Sequence, residues 1–499
     1  MNPNTIRHLV TLLLSMITAI MLGHVIGSGD TDMLFLLSYA ILGIFLLTAS
    51  GFVPLIAVGL LNPFILPIPF VHAVPFMLMI LGICCVKLFF QNAISRRHRE
   101  NYQHCFAAGS LILFGWVALR YCMNPVMPNV AGFGENVSGF RAYLQYGLCF
   151  ALTLLLPLFV RSREDASRLL RWMGGISLFF ILFLTPFVFS KSDTAALWLF
   201  RFGLYVTAFD NGWLRFVALP GFGLILITLA LLPNLMPVSI RWRFVLGGLG
   251  MLAVVLGGNR SSLLMGFAIV LSILLVQRRI MVFGLMIVGI ASALVAGNLI
   301  GERIDVRQGV GFLRILSVTS KRIANETDAA ATLEWRMIRW RRAMQEIRNN
   351  PFFGKGYGGL ENAWVFSDLH ASEEARVEVD LASGGVHNGY LASAYSLGIP
   401  ATLIFIFVLV SQVIMNATQV HRHRKSDPVL SDMHSFVFSN LVGLALAIYI
   451  GTDLNGPMIW FYIALGFLLT RLTKTATAPE AAAALQPIQP PLTARPMTG

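Results

Sequence analysis

This chain is short of charge. Only 12% of its 499 residues are Asp, Glu, Lys or Arg, about half the share in a soluble protein. Cysteine is also scarce. Cys84, Cys85, Cys105, Cys122 and Cys149 all lie in or beside apolar runs, and none falls in the one long polar segment. That placement argues against a disulfide framework and against a cysteine metal site. Acidic residues are too few and too scattered to read as a paired metal site. Asp305, Glu334, Asp368 and Asp380 stand apart, and Glu373-Glu374 sits in a solvated acidic stretch. No metal and no cofactor is therefore expected. No small-residue cleavage pattern follows the first apolar run, which reads as an uncleaved span. Neither a soluble domain nor a fixed-period repeat is visible.

Hydrophobic sequence is what the chain has in excess, at 56% of residues. In lipid a long apolar run must be a helix, because its backbone polar groups have no water to bond. Candidate spans are 9–27, 33–49, 51–66, 72–90, 104–122, 141–160, 172–190, 215–233, 244–258, 262–277, 280–298, 389–418, 434–451 and 457–471. The stretch 33–90 is broken by Pro54, Pro63, Pro67, Pro69 and Pro75 and has room for two or three helices. A net charge of +13 would point to nucleic acid in a soluble protein. Here the basic clusters sit in short loops, at Arg96-Arg97-His98-Arg99, Arg161 to Arg171, Arg241 and Arg243, Arg278-Arg279, Arg422 to Lys425, and Arg471 and Lys474. The positive-inside rule places them in the cytoplasm, and nucleic acid is not an expected partner. Three helices between Asp32 and Arg96 put every cluster on that side, giving about 12 to 14 spans with both termini cytoplasmic.

The expected fold is thus all-α, a polytopic membrane helical bundle with one long outward-facing loop that contains an amphipathic helix. Its expected parts are an N-terminal transmembrane bundle over 1–298, a large loop over 299–388, C-terminal transmembrane helices over 389–472 and a disordered cytoplasmic tail over 473–499, rich in Ala, Pro and Thr.

The polar loop carries most of the unusual residues. A helix is expected from Leu333 to Arg348, with Asp328 as a plausible N-cap and Asn349-Asn350-Pro351 ending it. At about 100° per residue, Leu333, Met337, Trp340, Met344 and Ile347 share a face that would lie on the membrane, with Arg339, Arg342 and Glu346 opposite. Arg336 sits at the edge of the apolar stripe, one turn before Trp340. The bland reading of Arg339, Arg341 and Arg342 is contact with lipid phosphates. Gly354-Lys355-Gly356-Tyr357-Gly358-Gly359 lacks the spacing and framing elements of a phosphate loop and reads as a turn. His387, at the outer mouth of a span beside Asn388, is either a capping histidine or a base able to take a proton from a hydroxyl. Arg260, in Gly257-Gly258-Asn259-Arg260-Ser261-Ser262, lies between two apolar runs with no room for a real loop. An arginine at such a depth is costly and points to an anionic group or a watery cavity. Arg141 opens a span on the same side, and its bland reading is snorkelling.

One chemistry accounts for arginines and a histidine converging on the outer face. A lipid-linked pyrophosphate would be held by guanidinium forks that keep their charge and stabilise it as it leaves, without a metal ion. A transporter of such lipids would instead show internal repeats and ionisable residues near mid-membrane.

These motifs resemble the O-antigen ligase and polysaccharide polymerase superfamily of bacterial envelope proteins. The resemblance rests on Gly258-Asn259-Arg260-Ser261-Ser262 opening a span, Arg336 four residues before Trp340, and Pro351-Phe352-Phe353-Gly354-Lys355-Gly356. It also rests on His387-Asn388-Gly389-Tyr390-Leu391 followed by Leu397-Gly398-Ile399, so that it covers roughly residues 245–415. It implies a metal-independent, inverting glycosyltransferase of the GT-C type, multi-pass in the bacterial inner membrane, with its active site facing the periplasm. The implied donor is a glycan on undecaprenyl pyrophosphate. The implied acceptor is the lipid A-core in a ligase, or another lipid-linked glycan in a polymerase. Members that transfer glycan to protein commonly carry an additional C-terminal region not seen here. In the ligases, the histidine matching His387 activates the acceptor hydroxyl and arginines matching Arg260 and Arg336 hold the pyrophosphate. Arg141 matches a third arginine more loosely, and Arg339 is carried as a fourth candidate on the loop helix. One departure is Asn-Arg-Ser where the family often has Ser-Arg-Gly or Ser-Arg-Thr.

Overall fold

The computed structural model describes residues 51–61, 65–68, 71–91, 108–125, 138–189, 206–208, 214–301, 329–357, 377, 381, 386–451, 454 and 456–484. The expected spans 9–27 and 33–49, and the tail beyond 484, lie outside these. Among the described residues the fold is nearly all helical, and the chain is a multi-pass membrane protein. Its first helices are α1 (Phe52–Leu61), α2 (Phe76–Gln91), α3 (Ala108–Met123), α4 (Ser138–Phe159) and α5 (Arg163–Val188). They are followed by α6 (Leu219–Leu231), α7 (Ile240–Leu256), α8 (Arg260–Val276) and α9 (Ile280–Gly301). The loop helix α10 (Ala329–Asn349) comes next, then α11 (Gly389–Leu397), α12 (Ile399–His423), α13 (Pro428–Ile450) and α14 (Pro457–Ala484). Within α4, and in α5, α12 and α13, four segments are long and apolar enough to cross a membrane by length and composition. The outward faces suit lipid, since α9 leaves Met281 80% and Val288 62% exposed.

Two antiparallel hairpins interrupt the helices, β1 (Ile65–Ile68) with β2 (Val71–Pro75), and β3 (Val206–Ala208) with β4 (Leu214–Phe216). The first corrects the expected spans 51–66 and 72–90. Proline has no amide hydrogen and blocks a continuing helix, so α1 stops at Leu61, Pro67 falls in β1, and the next helix starts after Pro75. The expected span 389–418 is two helices, broken at Gly398. The last helix runs to Ala484, into the alanine-rich stretch assigned to the tail. Helix α5 starts nine residues before the expected 172. Ser162 caps it by accepting the Asp165 amide at 3.1 Å, and Glu164 and Asp165 complement its N-terminal dipole.

Small residues set the closest crossings. A Cβ on Gly223 of α6 would strike the Gly250 carbonyl of α7, and one on Gly250 would lie 2.7 Å from the Gly223 carbonyl, so these two backbones touch. A Cβ on Gly443 of α13 would sit 2.6 Å from Ile269 of α8. This second crossing levels the site. Ile269 is nine positions after Arg260, and Gly443 is eight positions before Gly451. At 1.5 Å per residue the starting end of α8 and the finishing end of α13 lie about 13 Å and about 12 Å from one crossing point, on the same side. Their other ends meet as well, because the Gln277 amide reaches Asp432 Oδ1 at 3.4 Å.

Candidate active site

Arg260 is the first residue of α8. Asn259 caps that helix, its Oδ1 accepting the Ser261 amide at 3.1 Å and the Ser261 hydroxyl at 2.6 Å. Asparagine is as good an N-cap as serine, so the departure from the family's Ser-Arg leaves the arginine supported. Gly258 has φ 61, and a Cβ on Gly257 would strike Pro220 at the start of α6. Arg260 is half-buried, three residues beyond this contact with the start of α6 and level with the finishing end of α13.

His387 lies where α13 finishes. It is exposed, has φ 52, and a Cβ on Gly451 would be 3.7 Å from its Nδ1. A non-glycine residue in the left-handed region is strained unless its neighbours fix it. Both neighbours here are fixed. The Trp340 indole Nε1 donates to the Val386 carbonyl at 3.0 Å. Asn388, 5% exposed, caps α11 by accepting the Leu391 amide at 3.2 Å. The Tyr390 hydroxyl then donates to the Ala445 carbonyl of α13 at 3.1 Å.

The loop helix α10 seats on a small core of its own, in which Ala343 and Ile347 meet Val377, Leu381, Val386, Ala392 and Tyr395. The buried face is thus 339, 343 and 347 with Trp340 packed beside it, so that Ile347 and Trp340 of the expected stripe lie on it. Met337 and Met344, of the same expected stripe, lie outside this core and are exposed. Arg339, expected on the outward face, is 7% exposed with its guanidinium carbon 4.8 Å over the Trp335 ring, a cation–π contact. One face of the helix packs on protein, and that tertiary contact buries Arg339 against its place on the helical wheel. Arg336 stands one turn, about 5 Å, from Trp340 on this helix. It is half-buried, and its Nε is buried without a hydrogen-bond partner among the described residues. Burial pulls its guanidinium below the ordinary value, a cost that a bound anion would remove.

The Pro351–Tyr357 turn proves to be structural. The break at Gly398 frees carbonyls at the end of α11, and these cannot be left unsatisfied in a membrane protein. The turn supplies the missing donors, with Lys355 N bonding Tyr395 O at 2.6 Å and Gly356 N bonding Ser396 O at 3.0 Å. In return Ile399 N bonds Pro351 O at 2.8 Å. Gly354 has φ 62 and Gly398 φ 92, and a Cβ on Gly398 would strike the Phe352 carbonyl.

A residue missed by the sequence reading locks this joint. Arg120, near the end of α3, is 7% exposed and its Nη2 donates to Gly354 O at 3.4 Å. A Cβ on Gly356 would sit 2.7 Å from that Nη2. One turn earlier the Trp116 indole donates to Leu397 O at 2.8 Å and its ring stacks on Phe353 at 5.2 Å. A lone arginine inside an apolar run was the available signal. Arg141 falls in the first turn of α4, and its side chain lies outside the described set. Below it on α4, the Tyr143 ring meets Tyr357 edge-on at 5.3 Å, and the Tyr357 hydroxyl is 3.4 Å from that of Tyr146.

The structure therefore ties Arg336 to His387 through Trp340 and brings Arg260 to the same level of the bundle. Residues 244–406 match the family model described as O-antigen ligase, a segment that opens in α7, ends in α12 and contains Arg260, Arg336, Arg339 and His387. It spans 163 of the 499 residues, and over it the chain is similar to that family. A comparison with curated proteins found no match.

Proposed function

We propose that this protein is a glycosyltransferase of the ligase type, moving a glycan from undecaprenyl pyrophosphate to a hydroxyl of the lipid A-core at the periplasmic face of the bacterial inner membrane. The observation that carries the reading is the Trp340–Val386 hydrogen bond, which joins the arginine-bearing helix to the backbone of His387. In the proposed reaction the His387 imidazole takes the proton of the acceptor hydroxyl. The acceptor oxygen forms a bond to the anomeric carbon while the bond from that carbon to the pyrophosphate oxygen breaks. The departing undecaprenyl pyrophosphate keeps the electron pair and is stabilised by Arg260 and Arg336, whose planar forks match phosphate oxygens. Attack opposite the leaving group inverts the anomeric centre. Arg141 is a secondary phosphate contact in this scheme, while Arg339, buried over Trp335, braces the helix that carries Arg336.

The test is a deletion strain complemented with wild type or with His387→Ala. The ligase reading expects long polymer stranded on the undecaprenyl carrier, with none on the lipopolysaccharide core, in both the deletion and the His387→Ala strain. A single repeat unit reaching the core would instead assign the protein as a polymerase.

A further inference from the structure

A second polar site lies at the opposite ends of the same helices. A cavity of about 130 Å³ opens where α6, α8, α12 and α13 finish or begin, lined by Asn234, Gln277, Arg279, Arg424 and Asp432 among others. Helix α8 separates it from Arg260 by 17 residues, about 25 Å. That is close to the thickness of the lipid hydrocarbon layer, so the cavity lies at the headgroup level of the other leaflet.

Its chemistry is mixed. Asp432 is 5% exposed, and its Oδ2 accepts the Asn234 amide at 2.9 Å and the Asn234 side-chain nitrogen at 3.0 Å. Among the described residues its Oδ1 accepts only Gln277 Nε2, at 3.4 Å. A carboxylate offers about four lone-pair positions, so Oδ1 has one left. The Gln277 amide is oriented by that bond, which leaves its Oε1 buried with no hydrogen-bond partner among the described residues. Arg279 and Arg424 line the same cavity and are exposed. The site therefore presents two guanidinium groups beside two unfilled acceptors, one of them anionic.

We propose that this cavity holds the headgroup of an aminophospholipid, phosphatidylethanolamine in class. Its phosphate meets Arg279 and Arg424, and its primary ammonium donates to Asp432 Oδ1 and Gln277 Oε1. A quaternary choline headgroup has no N–H to donate. A phosphatidylglycerol headgroup has neutral hydroxyls where the ammonium stands, so it lacks the cation that pairs with Asp432.

The experiment is native mass spectrometry of the full chain, exchanged from bilayers containing phosphatidylethanolamine, phosphatidylcholine and phosphatidylglycerol in equal parts. The wild type is expected to retain phosphatidylethanolamine about tenfold over the other two, a 1.4 kcal/mol preference. Arg424→Gln, an exposed change, is expected to lower retention of all three lipids, which share the phosphate, and Asp432→Asn to lose the preference for phosphatidylethanolamine. Equal retention of the three lipids, or preference for phosphatidylglycerol in the wild type, overturns the proposal. So does lipid retention by Arg424→Gln that equals the wild type's. If Asp432→Asn does not fold, the wild-type and Arg424→Gln comparisons decide. The readout is lipid retention, so its failure leaves the glycan-transfer reading untouched.

Discussion

Trp340 and His387 are joined through one backbone carbonyl. The Trp340 indole donates to Val386 O at 3.0 Å, and Val386 is the residue before His387. Two motifs separated by more than 40 residues of sequence are thereby one unit in space, with Arg336 a single helical turn away. Trp340→Phe keeps a ring against Tyr449, 6.2 Å away, but removes the donor. Leaving a carbonyl unpaired costs about 1–3 kcal/mol, and the His387 backbone is the part released. Glycan transfer in detergent is expected to fall about tenfold while the protein still purifies folded. An unchanged rate would show that the bond does not position His387.

Arg260→Lys keeps the charge and loses the planar fork. A lysine at the start of α8 would still suit an anion as a point charge, so donor binding is expected to weaken and transfer to drop about tenfold or more. Wild-type transfer by this variant would remove Arg260 from the phosphate clamp.

Gly398 is fixed for a different reason. Its φ of 92 and the Phe352 carbonyl in the place of a Cβ exclude any side chain. Gly398→Ala must open the joint between the Pro351–Tyr357 turn and α11, and a loss of about 2–4 kcal/mol in stability is expected from strain and broken backbone bonds. Thermal unfolding in detergent measures it, with Gly115→Ala as the control, since a Cβ there meets nothing within 4 Å. Equal melting of the two variants would contradict the joint.

Arginine forks carry the leaving-group charge in this scheme, so chelator is expected to leave the transfer rate unchanged. The check is the initial rate with and without chelator. A loss restored by magnesium or manganese would overturn the metal-free mechanism.

The sequence made the membrane class legible because hydropathy is a property of composition, and α3, α4, α8 and α9 lie close to the apolar runs that announced them. Arg260 and His387 stood out as candidates because each borders an apolar run, and Arg336 by its place at the edge of the apolar stripe one turn before Trp340. What periodicity could not show is what a helix packs against. Arg339 looked outward by its angle on the wheel, yet it is buried because α10 sits on its own small core. The Gly398 break was hidden inside a continuous apolar run, since the donors that make the break tolerable come from Lys355 and Gly356, far back in the chain. Arg120 was hidden for a related reason. Its partner is a backbone carbonyl in a turn, and a carbonyl has no sequence signature.

The most direct measurement is transfer by the purified protein in detergent, with an undecaprenyl-pyrophosphate-linked glycan as donor and lipid A-core as acceptor, comparing wild type with His387→Ala. The account predicts product from wild type without a sealed bilayer, a loss of about 100-fold or more in the variant, and donor binding unchanged. Wild-type rates from His387→Ala would contradict the assignment of His387 as the base.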